Sequence, residues 1–283
     1  MRIYLANYDP IGIGGGWSFA RAFNLAMGDK ITLNYDEADI YFITSASMVG
    51  REDVERAKSA GKKIILRCDN IIRNSRNRNT GMTRMKDFCE WADMTIFQSK
   101  FAEDLLNPYL QTENWKVILN SVNESIFHPL GRSDNGNVRY LYSKHSSDET
   151  KNWEMARMAF QKLYEKDSKI ELNLVGRFDS NVEEYNFDFY NGERYLYYGH
   201  VGDPFAMADI YRNSDRFLYT YFQDACSQTL IEALCCGVKI VDCYGMTETG
   251  GTPEILDKYR EYGPEYFKLE RMAKEYLEVM EGL

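Results

Sequence analysis

Short apolar runs alternate with helical segments through nearly the whole chain, and this alternation restricts the fold more than any other feature of the sequence. The runs at 2–6 (RIYLA), 39–44 (DIYFIT), 62–67 (KKIILR), 93–98 (DMTIFQ) and 116–120 (KVILN) read as strands. Several are too continuously apolar for a sheet with one wet face, which suits parallel strands covered on both sides. Helical spacing fills 50–61 and 99–110, the second with Ser99 placed to cap it. A polar stretch at 121–137, with Pro129, Gly131 and Gly136, interrupts the pattern and reads as a linker. The alternation then resumes with strands at 138–143, 170–176, 194–199, 216–221 and 238–244, and helical segments at about 150–166, 204–213 and 227–236. The expected fold class is α/β, with two doubly wound parallel-sheet domains at 1–128 and 129–264 and a charged terminal helix at 265–283 that can cross back to the first domain. Such domains bind ligands at the carboxyl ends of their strands.

A chain of 283 residues accommodates two domains of this kind. Its formal net charge of −9 opposes nucleic acid and anionic membrane surfaces, so any phosphate must be met by local cations or amides. The six cysteines form no CxxC, and with three histidines there is no metal-ligand spacing. Reduced, buried thiols and a cytoplasmic location are expected. The sequence shows neither a signal-peptide pattern nor an apolar run near the roughly 18 residues of a membrane span. Peripheral membrane contact is compatible with this reading.

Two stretches carry chemistry. GIGGGWSFARAF (12–23) lies between a strand and a helix, but Trp17 stands where a dinucleotide fingerprint needs glycine, and no Lys-Ser or Lys-Thr follows to make a P-loop. What remains is a set of residues without Cβ that lets a ligand approach backbone amides at a helix start; the plain alternative is a strand-to-helix turn. In YFQDACSQTLIEALCCGVKIVD (221–242), Ser227 can cap a helix that ends at Gly237. Asp224 then lies in the loop before the helix and Glu232 inside it, beside amides at Ser227, Gln228 and Thr229 that could hold a phosphate. The basic stretch 67–86, with Arg67, Arg73 and Arg76, reads either as a phosphate- or acceptor-binding loop or as a solvated loop followed by a helix. DEAD at 36–39 is no helicase motif, since no P-loop accompanies it.

Asp224, seven intervening residues, then Glu232 in EALCCGVKIV resembles the signature of the retaining glycosyltransferases of family 4. NSVNESIFHP (120–129) is similar to that family's linker segment, and YLYSKHSSDETKNW (140–153) stands where the family has its Arg and Lys. LVGRF (174–178), YYGHV (197–201) and GGTPEIL (250–256) follow in the family's order. The chain departs from the pattern with Asp224 for the usual Glu, Lys144 for Arg, no histidine before residue 128, and a short length.

The resemblance implies the GT-B fold, two Rossmann-like domains facing across a cleft. It implies transfer of a hexose from a nucleoside diphosphate sugar to a glycan, lipid-linked or small-molecule hydroxyl, with retention and without metal or further cofactor. Lys151 and Lys144 would grip the diphosphate with the amides at Ser227, Gln228 and Thr229, Asp224 would bind the donor sugar, and Glu232 the ribose. Gly15 and Gly16 would border the donor and Gly14 the acceptor; the basic stretch, which lacks the family's histidine, offers Arg73 or Asp69 in its place, with Arg73 taken on the acceptor side. The alternative is a catalytically inactive nucleotide-sugar-binding protein of the same fold, which the Asp224 replacement and short length support.

Overall fold

The computed structural model describes residues 1–12, 15–69, 71, 79–132, 136–146, 149–176 and 195–283. It divides into two units, Met1–Asn123 with Glu254–Leu283, and Glu124–Pro253.

The first unit holds a six-stranded, wholly parallel sheet in the order β2-β1-β3-β4-β5-β6. Its strands are β1 (Ile3–Leu5), β2 (Ile31–Thr32), β3 (Ile40–Ile43), β4 (Lys63–Cys68), β5 (Met94–Phe97) and β6 (Trp115–Val117). The helices are α1 (Gly15–Met27), α2 (Arg51–Ser59), α3 (Asn79–Trp91) and α4 (Lys100–Leu110). α4 starts where Ser99 Oγ accepts from the Ala102 amide at 3.1 Å, the expected cap. β3 is buried along its whole length, as a parallel strand covered on both faces must be.

The second unit carries a five-stranded parallel sheet in the order β11-β10-β7-β8-β9. It consists of β7 (Arg139–His145), α5 (Trp153–Tyr164), β8 (Glu171–Gly176), β9 (Tyr195–Gly199), α6 (Pro204–Arg212), β10 (Arg216–Tyr219), α7 (Gln228–Cys235) and β11 (Lys239–Asp242). Counted from β7, this is the doubly wound order 3-2-1-4-5, whose direction of winding reverses between β7 and β10. α6 begins on a strong local signal: Asp203 accepts from the Phe205 and Ala206 amides and Pro204 occupies the first turn.

The chain changes unit earlier than the expected 128 and 264, for reasons of packing. Val122 pairs with Lys268 and donates to Phe267 O at 2.9 Å, which keeps it in the first unit. Phe127 is buried against Tyr211, and Ile126 O accepts from Arg212 at 2.9 Å, which ties the supposed linker into the second. At the other crossing, Thr252 Oγ1 bonds the Tyr219 hydroxyl at 2.5 Å within the second unit, whereas Glu254 accepts from the Lys100 amide of the first at 2.7 Å. Helix α8 (Thr252–Tyr262) spans that crossing.

Helix α9 (Leu269–Glu281) completes the first unit. Met272, Tyr276 and Met280 enter one core with Phe19, Phe23 and Phe42, and the Tyr276 ring lies 5.0 Å from Phe23 and 5.5 Å from Phe42. Arg271 fastens the helix by donating to Leu119 O, Asn120 O and Ser121 Oγ at 2.7–3.0 Å. Tyr276→Ala is expected to cost on the order of 3–5 kcal/mol in a denaturant titration, as for other buried aromatics truncated to alanine. A loss under about 1 kcal/mol would mean that α9 does not complete this core.

Candidate active site

The strand order puts the ends of β7 and β10 side by side at the winding reversal of the second unit, the position where doubly wound sheets bind ligands. Lys144 is the penultimate residue of β7, within a register irregularity between Tyr142 and His145. Lys151 closes a short 3-10 turn, Glu149–Lys151. Its carbonyl accepts from the Tyr142 hydroxyl at 2.7 Å and the Thr220 hydroxyl at 2.5 Å, and Asn152 donates to Thr220 O at 2.9 Å. The turn is thereby stapled to both strand ends, which fixes where the Lys151 side chain begins.

Asp224 sits in the loop that leaves β10. Its Oδ2 lies 3.6 Å from Lys151 Nζ and 3.9 Å from Lys144 Nζ, and all three side chains are largely buried. The loop reaches this position through Gln223 in the left-handed region, φ 51°. Gly250, φ 64°, backs it so closely that a Cβ there would meet Asp224 O at 2.6 Å, and the Gly251 amide donates to the same oxygen at 2.8 Å. Glycine at 250 is therefore a requirement of the Asp224 loop. This signal was present in GGTPEIL without its partner being visible.

Ser227 occupies the N-cap position of α7, but its side chain does not cap the helix. Contrary to the sequence expectation, its hydroxyl pairs with Thr229 Oγ1 at 3.3 Å. Gln228 and Thr229 form the first turn of α7, and Gly237 follows its end with φ 78°, as expected. One turn inside, Glu232 Oε2 accepts from the Tyr211 hydroxyl at 3.2 Å. Desolvation pushes the Glu232 carboxyl up to about 7, opposed by the Tyr211 hydrogen bond and then by the positive charge of Lys144. Tyr211 is itself held well above the usual phenol range by burial, so it remains a donor. Cys235 and Cys236 are buried packing residues.

In the first unit, Gly15 and Gly16 open α1, while Gly14 and Arg73 lie outside the described residues. The glycines differ in purpose. A Cβ on Gly12 would strike the Trp17 ring at 2.5 Å, and one on Gly16 would press Met48 Sδ at 3.0 Å and approach Asp69 Oδ2 at 3.8 Å. One on Gly15 would meet nothing within 4 Å. Packing thus explains Gly12 and constrains Gly16, and leaves Gly15 as open backbone at a helix start.

Arg67 corrects the view of 67–86 as one polar segment. It belongs to β4, is 2% exposed, and donates to Thr44 O, Gln98 Oε1 and Asn120 Oδ1 at 2.7–3.2 Å with its guanidinium over the Phe19 ring at 3.7 Å. Sequence reasoning missed this hub because its partners come from three other segments.

No protein-family model and no curated protein matches the chain. Solved structures match over nearly its whole length. HepE of Anabaena, in complex with UDP and glucose, superposes with a TM-score of 0.75 at 12% identity, covering 100% of both chains. The sucrose-phosphate synthase of Thermosynechococcus elongatus gives 0.71 at 13%, covering 99% of this chain and 98% of that one. WaaG, a glycosyltransferase involved in lipopolysaccharide biosynthesis, gives 0.63 at 10%, covering 98% and 90%. The likeness establishes the GT-B fold expected from the sequence.

The raised Glu232 carboxyl has a signed consequence for stability. The folded state holds this proton up to about pH 7, whereas the unfolded chain releases it near 4.5, so this group's contribution to stability declines as pH rises from about 4.5 to about 7. Thermal melts of wild type and Glu232→Gln across that window should show a falling difference between wild type and variant. A difference independent of pH would place Glu232 in water.

Proposed function

We propose that this protein is a glycosyltransferase that moves a hexose from a nucleoside diphosphate sugar to a hydroxyl of a glycan, a lipid-linked saccharide or a small molecule. The observation that carries this reading is the convergence of Lys144 and Lys151 on one point at the winding reversal, 3.9 and 3.6 Å from Asp224 Oδ2. Two ammonium groups fixed on separate segments suit a diphosphate, whose charge grows as it departs. The GT-B fold, and the UDP and glucose bound to HepE, support a nucleotide-sugar donor.

In this reading Lys151, with its backbone fixed on both sides, neutralises the leaving phosphate, and Lys144 meets the second. The first-turn amides of α7 at Gln228 and Thr229 supply further positive potential. Asp224 turns from the lysines to the donor sugar's hydroxyls, and Glu232, ionised above about pH 7, accepts from the ribose. Gly15 and Gly16 are assigned to the donor by the sequence resemblance alone. Gly14 is assigned to the acceptor by the sequence resemblance, as is retention of configuration, and Arg73 is the acceptor-side candidate of the basic stretch. The lysine pair carries the charge that a divalent cation carries in other transferases, so turnover is expected to survive EDTA.

A turnover and thermal-shift screen against UDP-, GDP-, ADP- and TDP-sugars with EDTA tests the reading. Diphosphate release from one donor, lowered about 10²–10³-fold in kcat by Lys151→Ala, is expected. Tight nucleotide binding with no release in the presence of acceptors would instead identify a binding protein. Near-normal turnover in a folded Lys151→Ala would remove that lysine from the mechanism.

A further inference from the structure

Two like-charged ammonium groups reach one carboxylate oxygen, so they lie no more than about 7.5 Å apart, the sum of their distances to Asp224 Oδ2. They repel each other, and something must hold them together when an anion is to be bound. Asp224 does so only at the expense of the anion, since a carboxylate between the lysines opposes an incoming phosphate. A neutral partner is needed, and one is present. Lys144 Nζ stands 5.0 Å and Lys151 Nζ 5.2 Å from the centre of the Tyr221 ring.

That ring is fixed by groups other than the lysines. It is fully buried, its hydroxyl pairs with Ser143 Oγ at 3.2 Å, and it packs on Tyr219 at 4.9 Å and on Phe217 at 6.1 Å, nearly edge to face. Tyr221 lies two residues beyond the end of β10, so its backbone position follows from the strand exit. A buried aromatic face attracts cations through its quadrupole without carrying net charge, and the attraction grows when the contact is shielded from water.

We propose that Tyr221 is a positioning residue whose ring gathers the Lys144 and Lys151 ammonium groups into one anion-binding pair. It keeps the pair assembled both when Asp224 neutralises it and when a diphosphate takes that place. The inference rests on the diphosphate reading above only for the identity of the anion.

The test replaces Tyr221 in the full chain by phenylalanine and by phenylalanines of increasing ring fluorination, and measures the dissociation constant for inorganic pyrophosphate. Fluorine drains the negative potential of the ring face while nearly conserving shape. Tyr221→Phe should bind within about twofold of wild type, and affinity should then fall stepwise, about five- to tenfold across the series. A flat series would overturn the proposal, because a ring that merely packs is indifferent to its quadrupole. Independently, the ε-methylene carbons and protons of Lys144 and Lys151 should show ring-current shifts in wild type and Tyr221→Phe that vanish in Tyr221→Leu. Their absence from wild type would overturn the proposal as well. If Tyr221→Leu does not fold, the fluorinated series still decides. Shifted lysines in a protein that binds no pyrophosphate would sustain the platform and overturn the diphosphate reading instead.

Discussion

The pairing of β7 with β10 is the interaction on which the candidate site depends. These strands are separated in sequence by α5, β8, β9 and α6, yet Tyr140 and Leu141 pair in parallel with Arg216 and Phe217. Asp215 secures the entry to both strands by accepting from the Arg139 amide at 2.7 Å and from the Arg132 guanidinium. The two lysines, Tyr221 and Asp224 all follow from these strand exits. Lys144 is the penultimate residue of β7, Tyr221 and Asp224 lie in the segment leaving β10, and Thr220 draws in the turn that carries Lys151. The loops can be short because the sheet has already brought their origins together.

An acidic protein that is to bind an anion must concentrate a few cations against its own average field. The structure does this by burial and by precise backbone placement more than by number. Left-handed Gln223 and Gly250 hold the Asp224 loop in the narrow space beside the lysines, and the Lys151 carbonyl is bound twice. Lys144 and Lys151 are also mostly shielded from solvent, at 27% and 12% exposure, where charge acts over a lower effective dielectric than on the open surface.

The strands were legible because parallel strands buried on both faces leave unbroken apolar runs, as at 39–44 and 62–67. β2 was not, since two residues form no pattern. Asp224, Glu232, Lys144 and Lys151 could be picked out by spacing and resemblance, but Asp224's attachment to both lysines could not, being a property of side chains from separate loops. Ser227 shows the limit of local rules: the right residue stands at the right position and its hydroxyl goes elsewhere. Phe127 was read as linker, and Arg67 both as the end of a strand and as the start of a polar segment, for one shared reason. Each lies in or beside a polar stretch, and only its burial partners, Tyr211 for one and Gln98 with Asn120 for the other, reveal that it belongs to a core.

Helix α9 gives the architecture a temporal order. The second unit is continuous from Glu124 to Pro253, whereas the first needs residues from both sides of it. During synthesis the first unit's sheet emerges early but with Phe19, Phe23 and Phe42 lacking the cover that Met272, Tyr276 and Met280 provide. Domains otherwise tend to finish in the order in which they are made. Here the half that is translated first is the last to be closed, and its exposed aromatic seam must outlast the making of the entire other half.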